Sequence, residues 1–210
     1  MIRIAINGYG RIGRSVLRAL YESDLQDQVK VVAINEPADN KTIAHLTRYD
    51  STHGRFLADV EVSDNSLIVN GDSIDIFHID QLDKLPWTDM DIDVVLECSG
   101  SFSDRKSAEK HLKSGAKRVL FSQPAESDVD ATIVYGFNHQ TLTGSETIIS
   151  NASCSTNCVV PVIQVLNDNF GVEGGVITTI HSAMNEQPGR EAEQQTDVRK
   201  TRAAMHSRMP

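Results

Sequence analysis

Basic residues, cysteines and long apolar runs are all scarce in this chain, and each shortage excludes something. Lys and Arg number 20 against 29 Asp and Glu, giving a net charge of −9. A general nucleic-acid binder needs clustered cations for the phosphate backbone, so that class is excluded. A small anion needs only one local basic pocket and stays possible. Cysteine occurs at Cys98, Cys154 and Cys158 alone, which suits a reducing compartment better than a disulfide scaffold. No Cys or His pair has the spacing of zinc ligands, and His53 and His78 read as loop or edge residues. No apolar run approaches membrane-spanning length, and Met1 to Asn7 lacks the apolar region of a signal peptide. The expectation is a soluble cytoplasmic protein with neither nucleic acid nor membrane as partner.

What is present is ordinary globular material, 40% hydrophobic and 23% charged, in a length that allows one large domain or two small ones. Ile2 to Ile6 is a short β-prone run. It ends in Gly8-Tyr9-Gly10-Arg11-Ile12-Gly13, and Ser15 to Tyr21 then repeats apolar residues at helical spacing. Val29 to Ile34 is a second strand, followed by Glu36. A G-x-G-x-x-G pattern alone is weak. Between a strand and a helix, with an acid after the next strand, it predicts dinucleotide binding. Gly8 permits the tight turn, Gly10 lets the pyrophosphate approach the backbone, and Gly13 lets helix and strand close up. Glu36 accepts hydrogen bonds from an adenosine ribose and repels a 2′-phosphate, so the expected cofactor is NAD rather than NADP.

Further along, Thr42 to Arg48 reads as a helix and Tyr49 to Gly54 as a loop. Leu67-Ile68-Val69 and Ile74 to Phe77, split by Asn70-Gly71, read as a hairpin. Strands are predicted at Asp93–Cys98, Lys117–Phe121, Ala131–Tyr135 and Val176–His181. A helix capped by Ser103 or Asp104 runs through Leu112 to a stop at Gly115. Alternating strands and helices predict an α/β fold, a Rossmann doubly wound and mostly parallel sheet. Ligands on such sheets sit at the carboxyl ends of the strands, which makes Ser99, Gly100 and Ser122 candidate cofactor neighbours. Cys98 reads as core packing.

Ser150 to Cys158 reads Ser-Asn-Ala-Ser-Cys-Ser-Thr-Asn-Cys, a small polar run where a strand hands over to a helix. Ser153 has the side chain of an N-cap, placing Cys154 in the first turn. Unpaired N–H groups there favour negative charge, and the thiolate is the reactive form of cysteine. Cys154 is the candidate nucleophile. The helix is expected to run to about Asn167 with Val159, Val162, Ile163 and Leu166 inward and Cys158 buried. His181, at a predicted strand end, can meet Cys154 in space and act as its base. A thiol beside a nicotinamide suits aldehyde oxidation through a thioester.

Asn7 to Arg14, Tyr49 to Gly54, Ser150 to Cys158 and Thr179-Ile180-His181 together resemble the glyceraldehyde-3-phosphate dehydrogenase family. The resemblance runs almost unbroken to Met184 and resumes over Asp197–Ala204. It implies a Rossmann NAD-binding domain over 1–150, then an incomplete, C-terminally truncated α+β catalytic domain over 151–210. It implies NAD contacts in the motif holding Asn7, Gly8, Gly10, Arg11, Ile12 and Gly13, a small phosphorylated aldehyde as substrate, and a homotetramer. Ser153 and Ser155 beside the nucleophile, and Arg199, match substrate positions. Within the family the match is closer to the branch that oxidises erythrose 4-phosphate and feeds pyridoxal phosphate synthesis. Glycolytic members carry threonines where this chain has Met184 and Glu186, and Glu186 would repel a phosphate placed as theirs is. In that branch the Cys154 thioester is hydrolysed by water. The alternatives are a phosphorylating glyceraldehyde-3-phosphate dehydrogenase and an inactive truncated NAD-binding fragment. The missing sheet partners lead us to expect weak turnover from the isolated chain.

Overall fold

Along Ile2–Asn7 (β1) successive side chains leave opposite faces of the backbone, and both faces find cover. Ile6 enters one core with Leu17, Ile34, Ile43 and Ala44. Its neighbour Ala5 enters a second core with Ala33, Val95, Ala108 and Trp87. A strand buried on both sides reads as a near-continuous apolar run, and β1 does so over Ile4, Ala5 and Ile6. The computed structural model describes residues 1–180. They fall into two units, divided between Val165 and Leu166.

In the first unit β1 leads to α1 (Arg11–Tyr21) and β2 (Val29–Asn35), then to α2 (Asn40–Arg48). The side chain of Asp39 caps α2, accepting from the N–H groups of Lys41 and Thr42. A short antiparallel ladder follows, β3 (Tyr49–Asp50) with β4 (Gly54–Arg55). Tyr49 to Gly54 is therefore a small ladder rather than a plain loop, closed where Asp50 accepts from the N–H groups of Thr52 and His53. Next come β5 (Val60–Ser63), β6 (Ser66–Val69) and β7 (Asp72–Phe77), an antiparallel meander. Asn70 and Gly71, both at positive φ, make the expected two-residue turn.

Then β8 (Val94–Glu97), α3 (Arg105–Lys113), β9 (Arg118–Phe121), β10 (Ala131–Thr132) and β11 (Ile148–Ser150) complete one sheet. Among the described residues its order is β10-β11-β9-β8-β1-β2-β7-β6-β5, parallel from β10 through β7. The winding runs outward from β1 to β2 on one side and from β8 to β9 on the other. The order therefore reverses between β1 and β8, where Asn7 stands in register with Glu97. Asp104, not Ser103, caps α3, through the N–H of Ser107. The predicted strand at Ala131–Tyr135 shrinks to β10. Asn138 reaches back to accept from the Val134 N–H and donate to the Thr132 carbonyl, turning the chain early.

Helix α4 (Cys154–Phe170) is longer than expected and has no buried residue. Cys158 is exposed, against the expectation of a buried thiol. Val162 and Ile163 face solvent too, because no described residue covers that side. In the second unit, described to residue 180, Leu166 is likewise exposed, and residues 171–180 form no regular element. The strand predicted from Val176 is therefore absent over its described part. Val176 and Ile180 are almost fully exposed, and a strand forms only where a neighbour takes up its backbone groups.

Candidate active site

Five parallel strands, β2, β1, β8, β9 and β11, end at the same edge of the sheet, and those sequence-predicted site residues that are described gather along it. At the first of these ends, the β1–α1 turn, each glycine answers a different demand. Gly8 sits at φ +87°, and a Cβ there would lie 2.4 Å from the Ser99 backbone. A Cβ on Gly13 would lie 2.5 Å from the Gly8 carbonyl oxygen and 2.9 Å from the Ile6 side chain. Gly10 has φ −71° and nothing within 4 Å of a would-be Cβ. The fold itself does not require glycine there, so the requirement points outward, to something that approaches the backbone. Gly10 is also the N-cap of α1, with no side-chain cap and no acid in the first turn. A helix start left open in this way is suited to a phosphate. Arg11 and Ile12, the next two residues, are exposed.

Glu36 stands half-buried just past the end of β2. Its carboxylate accepts from the Tyr9 N–H at 2.7 Å and the Ala38 N–H at 3.3 Å, which ties it to the glycine turn. Tyr9 is locked beneath it: its hydroxyl meets Thr47 Oγ1 at 3.0 Å, and burial pushes the phenol pKa upward. Asn7 is buried, and both polar ends of its side chain are engaged within the sheet. Its Nδ2 donates to Glu97 Oε2 at 2.6 Å, and its Oδ1 accepts from Asn35 Nδ2 at 2.7 Å.

Beyond β8, Ser99 and Gly100 are exposed, and Ser99 donates both its N–H and its hydroxyl to Glu97 Oε1, at 2.9 and 2.5 Å. Ser122, after β9, is half-buried and donates its N–H to the Glu97 carbonyl at 3.0 Å. Cys98 packs against the first core as expected, and burial pushes its thiol up to about 11, despite a hydrogen bond with Ser122. A thiol so disposed is inert beside an exposed one.

At the end of β11 the turn is built of side-chain bonds. Ser150 is fully buried; its hydroxyl donates to the Gln123 carbonyl at 2.8 Å and accepts from the Ala152 N–H at 3.1 Å. Ala152 is left-handed at φ 58°, a conformation that costs a non-glycine residue about 1–2 kcal/mol. Asn157 clasps the turn from the helix side, donating to the carbonyls of Asn151 at 2.7 Å and Ser153 at 2.9 Å. Ser153 Oγ accepts from the Thr156 N–H at 2.9 Å, the predicted N-cap bond, worth about 1 kcal/mol. Cys154 is the first residue of α4 and its side chain is exposed; Ser155 beside it is half-buried. The strands β2 and β11, whose ends lead to Glu36 and Cys154, stand four strand spacings, about 19 Å, apart in the sheet.

The structure thus places Asn7, the three glycines, Arg11, Ile12, Glu36, Ser99, Gly100, Ser122, Ser153, Cys154 and Ser155 along one edge, with Asn7 turned inward. His181 and Arg199, and the Met184 and Glu186 that bear on substrate choice, lie outside the described residues. Sequence reasoning missed Ala152, Asn157 and Glu97. Only Glu97 left a signal, a carboxylate ending the apolar run Val94-Val95-Leu96. The concavity lined by Asp59, Glu61, Ile68, Asn70 and Gly71 lies on the antiparallel meander, away from this edge, and is acidic. Among the described residues no helix is long and apolar enough to cross a membrane.

Two family comparisons agree with this geometry. The family model described as glyceraldehyde 3-phosphate dehydrogenase, NAD binding domain, matches residues 2–105. The one described as glyceraldehyde 3-phosphate dehydrogenase, C-terminal domain, matches residues 153–210.

Proposed function

The chain belongs to the glyceraldehyde 3-phosphate dehydrogenase family, as an NAD-dependent oxidoreductase of phosphorylated aldehydes, and within it we propose that the substrate is D-erythrose 4-phosphate, oxidised to 4-phosphoerythronate. The observation that carries the chemistry is an exposed Cys154 at the start of α4, on the same strand-end edge as the glycine turn. Residues 1–150 form the cofactor domain in this reading and 151–210 belong to the catalytic part.

The residues present fit NAD. The crevice where the strand order reverses lies between β1 and β8, the usual ligand position on such sheets. Gly10 leaves open backbone at the mouth of α1 for the pyrophosphate, flanked by Arg11 and Ile12. Glu36 presents its carboxylate to the adenosine ribose and disfavours a 2′-phosphate. Ser99, Gly100 and Ser122 line the way toward the nicotinamide half. NAD, when bound, supplies the hydride acceptor.

Cys154 Sγ attacks the aldehyde carbon and forms a hemithioacetal. The N–H of Cys154 steadies the oxygen as charge builds. His181 takes the hydroxyl proton as the hydride leaves carbon, which yields a thioester on Cys154. Water then attacks the thioester carbon, the C–S bond breaks, and the free acid and thiol are released. Ser153, Ser155 and Arg199 hold the substrate. Met184 and Glu186, in place of the glycolytic threonines, support water rather than phosphate as the acceptor. Assembly as a homotetramer, a cytoplasmic location and a supply role for pyridoxal phosphate synthesis complete the reading.

The test is NADH formation by the purified chain with erythrose 4-phosphate and no inorganic phosphate. We expect slow NADH formation and free 4-phosphoerythronate. An absolute need for phosphate, with an acyl phosphate product, would move the protein to the glycolytic reaction. Tight NAD binding with no turnover of either aldehyde would instead leave the inactive NAD-binding fragment.

A further inference from the structure

The carboxylate of Glu97 is fully buried at the end of β8 and, among the described residues, pairs with no Lys or Arg. It is instead saturated by four donors from three directions. Oε1 takes the N–H and the hydroxyl of Ser99; Oε2 takes Asn7 Nδ2 and, at 3.1 Å, His111 Nε2. Trp87 Nε1–H donates to His111 Nδ1 at 3.0 Å. An indole N–H can only donate, so Nδ1 accepts and the ring proton sits on Nε2, aimed at Glu97. On the other side the chain of bonds runs from Asn7 to Asn35, whose amide both donates to and accepts from the Ile79 backbone. One polar line thus crosses beneath the ends of β7, β2, β1 and β8 and finishes in α3 and Trp87.

Its centre lies under the β1/β8 switch point, since Asn7 and Glu97 are paired in register there. The two loops that rise from this pair touch: the Gly8 backbone abuts that of Ser99. The loop after β8 has no helix to shape it at this point, and Gly100 follows at φ 74°. Glu97 grips it at Ser99, whose hydroxyl in turn accepts from the Ser101 N–H at 3.2 Å.

We propose that Glu97 is a positioning residue for the cofactor, holding the Ser99–Gly100 loop against the glycine turn so that the crevice fits the nicotinamide half of NAD. The inference rests on the cofactor assignment and adds a residue that does not touch the cofactor. Glu97 acts on the β8 side of the crevice, whereas the adenosine half lies on the β2 side, beside Glu36. Loss of the grip should therefore weaken NAD far more than adenosine monophosphate. A merely structural carboxylate would weaken both alike.

The experiment measures binding of NAD and of adenosine monophosphate to the full chain by calorimetry, for wild type, Glu97→Gln and Ser99→Ala. Ser99 is exposed, so its variant folds even if Glu97→Gln does not. We expect Glu97→Gln to lose about tenfold or more for NAD and less than about twofold for the monophosphate. Ser99→Ala should show the same selectivity, with a loss of about threefold. Equal losses for the two ligands, or unchanged NAD binding in both variants, would overturn the proposal. A wild-type chain that binds neither ligand would instead overturn the cofactor assignment, and this inference with it.

Discussion

The β1–α1 turn and the β11–α4 turn are both hand-overs from a parallel strand to a helix at the same edge of the sheet, yet they are finished in opposite ways. The first is open. Its N-cap is Gly10, no side chain closes the helix start, and the space around that glycine is empty. The second is closed. Ser153 caps the helix, Asn157 clasps the two carbonyls before it, and Ser150 holds Ala152 in a left-handed conformation. An open helix start leaves its N–H groups for an incoming anion. A closed one fixes the backbone that presents a side chain of its own, here the exposed thiol of Cys154.

The largest effect that would separate the two turns is chemical. Cys154→Ser is expected to lower NADH formation from erythrose 4-phosphate by at least about a thousandfold. A residual rate near wild type, followed by absorbance, would move the nucleophile elsewhere. Gly13→Ala tests the packing beneath the open turn. A methyl group there meets the Gly8 carbonyl and Ile6, and overpacking of this kind costs about 1–3 kcal/mol, read as a lower urea midpoint. Ala152→Gly tests the strain in the closed turn. Relief of a left-handed alanine should raise stability by about 1 kcal/mol; a lower midpoint would mean that the backbone there is not strained.

The smallest effect concerns the strand that carries the closed turn. Asp130 pairs with Arg105 and also accepts from Thr147 and Ile148 at the start of β11. The Arg105 guanidinium, followed by those N–H groups, holds its carboxyl well below the usual carboxylate range. Its stabilising contribution is complete above the unfolded value of about 4 and is lost as pH falls through the lowered folded value. Asp130→Asn should cost about 1 kcal/mol at neutral pH, with the difference from wild type shrinking below about pH 4. A gap that widens on acidification would reverse the sign of this linkage.

The open turn was legible in the sequence because its demands fall on glycines at fixed offsets, and the Asn70-Gly71 hairpin was legible for the same reason. The helix start at Cys154 was legible through the cap at Ser153. The closed turn's scaffold was not. Nothing marks Ala152 as left-handed, since alanine lacks both the freedom of glycine and the local bonds of asparagine. The Glu97 line joins residues as far apart as Asn7 and His111, and a single carboxylate in an apolar run tells of burial without naming its partners. The inward face expected of α4 came from periodicity, which records which residues could be covered, while exposure depends on what actually lies against them.

Equilibrium binding of NAD to Gly10→Ser and Cys154→Ser, side by side, separates the two turns most directly. Serine at position 10 is compatible with the backbone there and adds a cap, so the fold should hold while the phosphate seat fills. We expect Gly10→Ser to lose about tenfold or more in NAD affinity and Cys154→Ser to stay within about twofold of wild type. Unchanged affinity in Gly10→Ser, or an equal loss in both variants, would contradict the division of the edge into an open cofactor turn and a closed chemical one.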